Sequence, residues 1–233
     1  MIDIQGITKH HGSREILHDV SFRAAPGAVT GFVGPNGAGK SSTLRILLGL
    51  HRAGAGRATV DGVPYSRLRR PLRTVGAMLD GAGAHPSRTA RAYLAWVAAS
   101  NGIPRTRVDE CLEEVGLADA ARRRVGTFSL GMGQRLGLAT ALLGDPPALI
   151  LDEPVNGLDP QGVRWIRDLL RRRADDGGTI LLSSHLMSVL AEIADDIVVI
   201  ADGRIRATGT LNEIVAGHAT LEDAFFSLTE ALR

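Results

Sequence analysis

The sequence predicts an α/β fold with a mainly parallel core sheet, an N-terminal antiparallel β subdomain and a helical insertion. Three observations carry this. The runs AVTGFVG (28–34), ALIL (148–151) and TILLSS (179–184) are nearly all apolar, without the polar alternation of a half-exposed strand. That is the pattern of strands buried on both faces. These runs alternate with segments of helical period, as a parallel sheet with crossover helices requires. Between them, residues 88–125 carry helical patterning with no strand signal.

The elements follow in order. IDIQGI and ILHDVSFRA read as strands of the N-terminal subdomain, before a turn at Pro26-Gly27. AVTGFVG is the first core strand. It ends in a glycine-rich loop, followed by SSTLRILLGL, which has helical period. ATVDG and TVGAML are further strands. RTARAYLAWVAAS and RTRVDECLEEVGL are amphipathic helices separated by Asn101-Gly102-Ile103-Pro104, and they lead into a helix beginning in FSLGMGQR. The helical subdomain therefore spans about 88–145 of a single domain, 1–233. Strands return at ALIL, TILLSS and DIVVIADGRI (196–205). There is no internal repeat and no low-complexity tract.

Composition bounds the function. With 44% hydrophobic and 22% charged residues, the chain can build a sizeable core and is not a disordered polymer. A net charge of +2 provides no global field for nucleic acid. Lys9 and Lys40 are the only lysines in a chain that otherwise uses arginine. Cys111 is the single cysteine; it shares a helical stripe with Val108, Leu112 and Val115 and reads as a buried structural thiol. No run approaches the roughly 18 apolar residues of a spanning helix, and MIDIQGITKHHG has no signal-peptide core. The expectation is a cytoplasmic protein that reaches the membrane only through a partner. The basic runs Arg122–Arg124 and Arg171–Arg173 read as solvated faces.

GPNGAGKSS, residues 34–42, matches the phosphate-loop pattern, in the context its mechanism demands: after an apolar strand and at the start of a helix. Gly34, Gly37 and Gly39 permit backbone angles and close approaches that side chains would block. The N–H groups of Pro35's neighbours Asn36 and Gly37, and of Ala38 to Ser42, can then face phosphate oxygens at a helix N-terminus. Lys40 brings a mobile positive charge to the β- and γ-phosphates, and Ser41 offers a hydroxyl to Mg²⁺. The expected fold is therefore that of the P-loop NTPases, and the expected ligand a nucleoside triphosphate.

ALILDEP ends a buried strand in Asp152-Glu153, at the sheet edge where open parallel sheets bind ligands. Asp152 is placed to hold the Mg²⁺ shell and Glu153 to act on the attacking water. By themselves the two would read as surface acids closing a strand; the phosphate loop changes that reading. TILLSSHL ends in His185, which can donate to the γ-phosphate or orient water. In FSLGMGQR, Gly131 and Gly133 sit where each weakens a helix by about 1 kcal/mol. Ser129 is placed as an N-cap, and Gly131 lets the backbone approach an anion at the helix start. A second anion-binding helix start is redundant within one chain but not in a two-fold dimer, where it closes over the partner's nucleotide.

The order GPNGAGKSS, FSLGMGQR, ALILDEPVNGLDP, TILLSSHL resembles the ATP-binding subunit of an ABC transporter over essentially the whole chain. The resemblance implies that Gly34–Ser42 is the Walker A loop and that Asp152 with Glu153 closes Walker B. It makes Phe128–Met132 the signature motif, Asn156–Asp159 the D-loop and His185 the switch histidine. It further implies ATP and Mg²⁺ as ligands, a second ATP-binding subunit and a multispanning permease as partners. Three places depart from the pattern. The signature reads FSLGM, so Leu130 and Met132 replace a glycine and a glutamine. Asp80 stands at the Q-loop glutamine, where it can still bind Mg²⁺. His11 replaces the aromatic residue that stacks on adenine. VGAMLDGAGAHPSRTARAYLAW with FSLGMGQR is most similar to the antibiotic and drug exporter branch.

Other classes make different demands. A soluble ABC-type ATPase of translation or repair would bring two cassettes, long coiled coils or zinc cysteines. A GTPase would carry Asn-Lys-x-Asp, and no Asn here precedes Lys. An ATP-dependent interaction module without useful hydrolysis stays open on the altered signature.

Overall fold

In the computed structural model, which describes residues 1–79, 81 and 83–230, the chain divides into two units. One comprises Met1–Leu68 with Arg167–Arg233, the other Arg69–Ile166. The first unit begins with β1 (Ile2–His11), β2 (Arg14–Ala24), β3 (Ala28–Val33), α1 (Lys40–Leu47) and β4 (Ala55–Val60). β1 and β2 form an antiparallel hairpin, and β4 pairs antiparallel with the other side of β1. Ile2, Ile4 and Ile7 are all buried although their spacing breaks the two-residue period of a strand. A register shift between Ile4 and Ile7, with Gly6 at φ 61°, returns Ile7 to the inner face.

The second unit contains α2 (Pro71–Thr74), β5 (Val75–Met78), α3 (Ala90–Ser100), α4 (Thr106–Glu114), α5 (Leu130–Leu142), β6 (Ala148–Asp152) and the start of α6 (Pro160–Asp175). β5 and β6 are parallel, with Met78 opposite Leu151. This unit is wider than the expected helical subdomain, because it takes in both of those strands. Leu94 and Ala98 of α3, Val108, Cys111 and Leu112 of α4, and Leu136 and Leu142 of α5 are buried in its core. Thr89 caps α3, its hydroxyl oxygen accepting from Ala92 N–H at 3.2 Å. Arg91 grips Asp109 with two hydrogen bonds of 2.8 and 2.6 Å, and these bonds hold the carboxyl below the usual carboxylate range.

The chain then returns to the first unit with β7 (Thr179–Ser183), α7 (Met187–Ile193), β8 (Asp196–Ala201), β9 (Arg204–Thr210), α8 (Leu211–Val215) and α9 (Leu221–Glu230). β3 lies between β7 and β8 and is parallel to both. All of Val29–Val33, Ile180–Ser183 and Ile197–Ala201 are buried, which accounts for runs without polar alternation. DIVVIADGRI is not one strand. It folds back at Asp202-Gly203, both with positive φ (50° and 69°), so that β9 runs antiparallel to β8. Asp-Gly between apolar residues is a strong hairpin signal. Thr210 and Glu213 form a reciprocal capping box at the start of α8.

The two arginine runs differ. Arg122, Arg123 and Arg124 are exposed, as a solvated face requires. Arg171 is not simply solvated. It donates to both Asp195 oxygens at 2.9 Å and to Asp175 at 2.9 Å. Asp195 in turn accepts from Val29 N–H at 2.8 Å, so Arg171 tethers α6 to the entry of β3.

Candidate phosphate-binding and catalytic site

In the first unit, β3 delivers the chain into the loop 34–39 and α1 receives it. A Cβ on Gly34 would run into the Ile200 carbonyl oxygen, and one on Gly39 into Leu17. Gly39, at φ 107°, is the N-cap of α1. The two glycines therefore fit a backbone pressed against neighbouring strands. Gly37, also left-handed at φ 81°, meets nothing within 4 Å, so its positive φ rather than a close neighbour calls for glycine. Ala38 is buried, its N–H bonded to Pro35 O at 3.1 Å and its carbonyl accepting from Gly203 N–H at 3.1 Å. Pro35, Asn36 and Gly37 form the exposed rim. Gly34→Ala should lower the melting temperature, since overpacking a tight core costs about 1–3 kcal/mol. Thermal denaturation by circular dichroism checks this, and an unchanged midpoint contradicts it.

Lys40 is only 7% exposed, and its ammonium donates to Gly34 O at 2.6 Å and Pro35 O at 3.3 Å. The side chain thus folds back over the loop that would hold the phosphates. Ser41 and Ser42 are half-buried in the first turn of α1. His185 follows β7, whose Ser183 stands opposite Phe32 of β3. The parallel pairing sends His185 and the Gly34 loop out of the same sheet edge. His185 is exposed, beside a buried Ser184 whose hydroxyl oxygen accepts from Leu186 N–H at 3.0 Å. His11 is exposed at the tip of the β1–β2 hairpin.

In the second unit, Leu149–Leu151 of β6 are buried and Asp152 emerges half-buried at its carboxyl end. Glu153 has φ 51°, in the left-handed region. A non-glycine residue held in such sparsely populated backbone costs on the order of 1–3 kcal/mol, and strain of this kind clusters at functional sites. Ser129 caps α5, its hydroxyl oxygen accepting from Met132 N–H at 3.2 Å. The close approach that Gly131 allows is to the chain's own backbone: a Cβ there would fall 2.8 Å from Gly157 O. Gly133 faces open space. In the Asn156–Asp159 loop, Asp159 caps α6 by accepting from Gly162 N–H at 2.8 Å. Asp80 lies outside the described residues.

The sequence reading missed three features here. One is the left-handed Glu153. Another is the packing of Leu130 over Gly157; the Asn156-Gly157 pair signals a turn but not what covers it. The third is Arg135, whose guanidinium lies 4.7 Å from the Trp165 ring centroid and donates to Val115 O at 2.9 Å, fixing α5 to its neighbours.

The donor set bears on the metal. Ser41 of the first unit offers a hydroxyl and Asp152 of the second a carboxylate. Each is a hard oxygen ligand of the kind that suits Mg²⁺, which keeps waters and takes substrate phosphate oxygens as well. Among the described residues, no group of three or more His, Cys, Asp or Glu could hold a metal.

Residues 17–156 match the family model described as ABC transporter. The lantibiotic transport ATP-binding protein SrtF of Streptococcus pyogenes is 37% identical over 225 residues, covering 97% of this chain and 96% of that protein. The bacitracin transport ATP-binding protein BcrA of Bacillus licheniformis is 38% identical over 208 residues, 88% of this chain and 68% of BcrA. A solved structure described as the ATP binding subunit of an ABC transporter superposes with a TM-score of 0.89 at 25% identity, covering 98% of this chain and 99% of that one.

Proposed function

This chain belongs to the ABC transporter family, and we propose that it is the ATP-hydrolysing subunit that powers a separate multispanning permease. The observation that carries this is the strand–loop–helix of residues 28–47, with Lys40 folded onto a glycine loop at the N-terminus of α1. Among the described residues no helix is long and apolar enough to cross a membrane. In this reading the permease supplies the transport path, and the subunit works at its cytoplasmic face. SrtF and BcrA are named for lantibiotic and bacitracin transport, which supports an exported antibiotic, drug or other amphipathic compound as cargo.

In this reading the loop N–H groups and Lys40 bind the β- and γ-phosphates. Ser41 and Asp152 would hold Mg²⁺, which offsets phosphate charge when bound; Asp80 is its further candidate ligand. Glu153 accepts the proton of the attacking water, and His185 orients that water or bonds the γ-phosphate. His11 stacks on adenine. Phosphoryl transfer needs little covalent chemistry from the protein, so these groups act by position and charge. The exposed Ser129 end of α5 closes over the nucleotide of a second copy, making a two-fold dimer with two nucleotides.

Light scattering on the hydrolysis-deficient Glu153→Gln chain, with and without ATP, tests the reading. The expected result is a monomer that dimerises only with ATP; a chain that neither binds ATP nor changes mass with it would refute the assignment. Adding Ser129→Ala should weaken ATP-driven dimerisation roughly tenfold or more per site, the value of one charge-assisted hydrogen bond. An unchanged monomer–dimer equilibrium would count against Ser129 as the closing contact.

A further inference from the structure

Leu130 stands where the resembled signature motif has glycine, and it is 67% exposed, more than any other large hydrophobic among the described residues. Exposure of a single leucine is ordinary. Its placement is not. A Cβ on Gly157 would lie 2.5 Å from Leu130 Cγ and 3.2 Å from Leu130 Cβ, so the leucine side chain rests on the Gly157 Cα. One residue on, Gly131 approaches the Gly157 carbonyl so closely that its own Cβ would sit 2.8 Å from that oxygen. Two consecutive residues at the start of α5 therefore clamp one loop residue on both its Cα and its carbonyl. Gly157 has φ 73°, a conformation suited to glycine.

The loop connects this clamp to Glu153. Asn156 N–H donates to the Glu153 carbonyl at 3.2 Å, and Leu158 N–H donates to the Val155 carbonyl at 3.2 Å. Asp159 anchors the far end at the N-terminus of α6. Gly157 lies between these ties, and a shift there passes through Asn156 to the left-handed Glu153, whose backbone persists only if its surroundings hold it.

We propose that Leu130 is a positioning residue that latches Gly157 and thereby holds Glu153 in place for hydrolysis. The latch links the signature helix to the catalytic carboxylate within one subunit: movement of the Ser129 end of α5 is felt at Glu153. The inference rests on the reading of Glu153 as the group that acts on water.

The test is steady-state phosphate release by the full chain, with ATP affinity and melting temperature measured alongside. Leu130→Ala is expected to lower kcat by about tenfold, the scale set by sub-ångström misplacement of a reacting group. The melting temperature and the ATP affinity of the isolated subunit should hold, because the side chain is exposed and residues 34–42 are unchanged. Leu130→Met should keep most of kcat. Gly157→Ala should also lower kcat, because its Cβ meets Leu130 and a side chain is strained at φ 73°. Wild-type kcat in Leu130→Ala overturns the latch while leaving the ATPase reading intact. Wild-type-like hydrolysis by Glu153→Gln overturns the reading itself and the latch with it.

Discussion

Glu153→Gln should bind ATP with near-normal affinity and lose about 10²–10⁴-fold in turnover, the usual contribution of a positioned general base. The substitution keeps the side chain's length and its backbone demands. Both residues are equally uncomfortable at φ 51°, so the fold and the loop should survive. What disappears is the carboxylate that accepts a proton. Asp152 precedes it and stays in place, so the metal donor is kept. Phosphate release under saturating ATP, with nucleotide binding measured separately, checks the split. Retained hydrolysis would move the proton-accepting role to His185, the other candidate leaving a strand end. Loss of binding together with turnover would instead mark Glu153 as part of the nucleotide's binding surface.

Lys40→Met should have the second large effect, and on a different quantity. The Lys40 ammonium lies against the Gly34 and Pro35 carbonyls and is almost wholly buried. A flexible apolar chain of similar length keeps the packing of α1 but removes the charge. One charge-assisted hydrogen bond is worth roughly 1.5–3 kcal/mol, so ATP affinity should fall about 10- to 100-fold. Turnover should fall further, because charge builds on the γ-phosphate during transfer. Lys40→Arg should fail to rescue, since a planar fork does not occupy the space of a compact ammonium. Titration calorimetry with ATP measures the affinity, and an unchanged dissociation constant would detach Lys40 from the phosphates.

Much of this site is readable without coordinates. The phosphate loop declares itself because every requirement is local: a strand, glycines at fixed offsets, a lysine and a helix start within a few consecutive residues. Asp152-Glu153 and His185 are legible for a related reason, since each ends a short apolar run that can only be an interior strand. Residues 196–205 read as sheet, and the Asp202-Gly203 turn signal inside them divides β8 from β9. The reading of Arg171–Arg173 as a solvated face missed a partner, Asp195, that is distant in sequence.

The sequence alone determined the fold class and the family, and it named the candidate residues for a triphosphate, because these are written in patterns a few residues long. Only the tertiary structure decided why particular positions are constrained. Gly34 answers to Ile200, Gly39 to Leu17, and Gly131 to Gly157. Each pair is brought together by strand order or helix packing, and no local periodicity encodes it. The same holds for Leu130. In sequence it is a departure from a motif; in the fold it is a side chain laid over Gly157, in the loop that Glu153 begins.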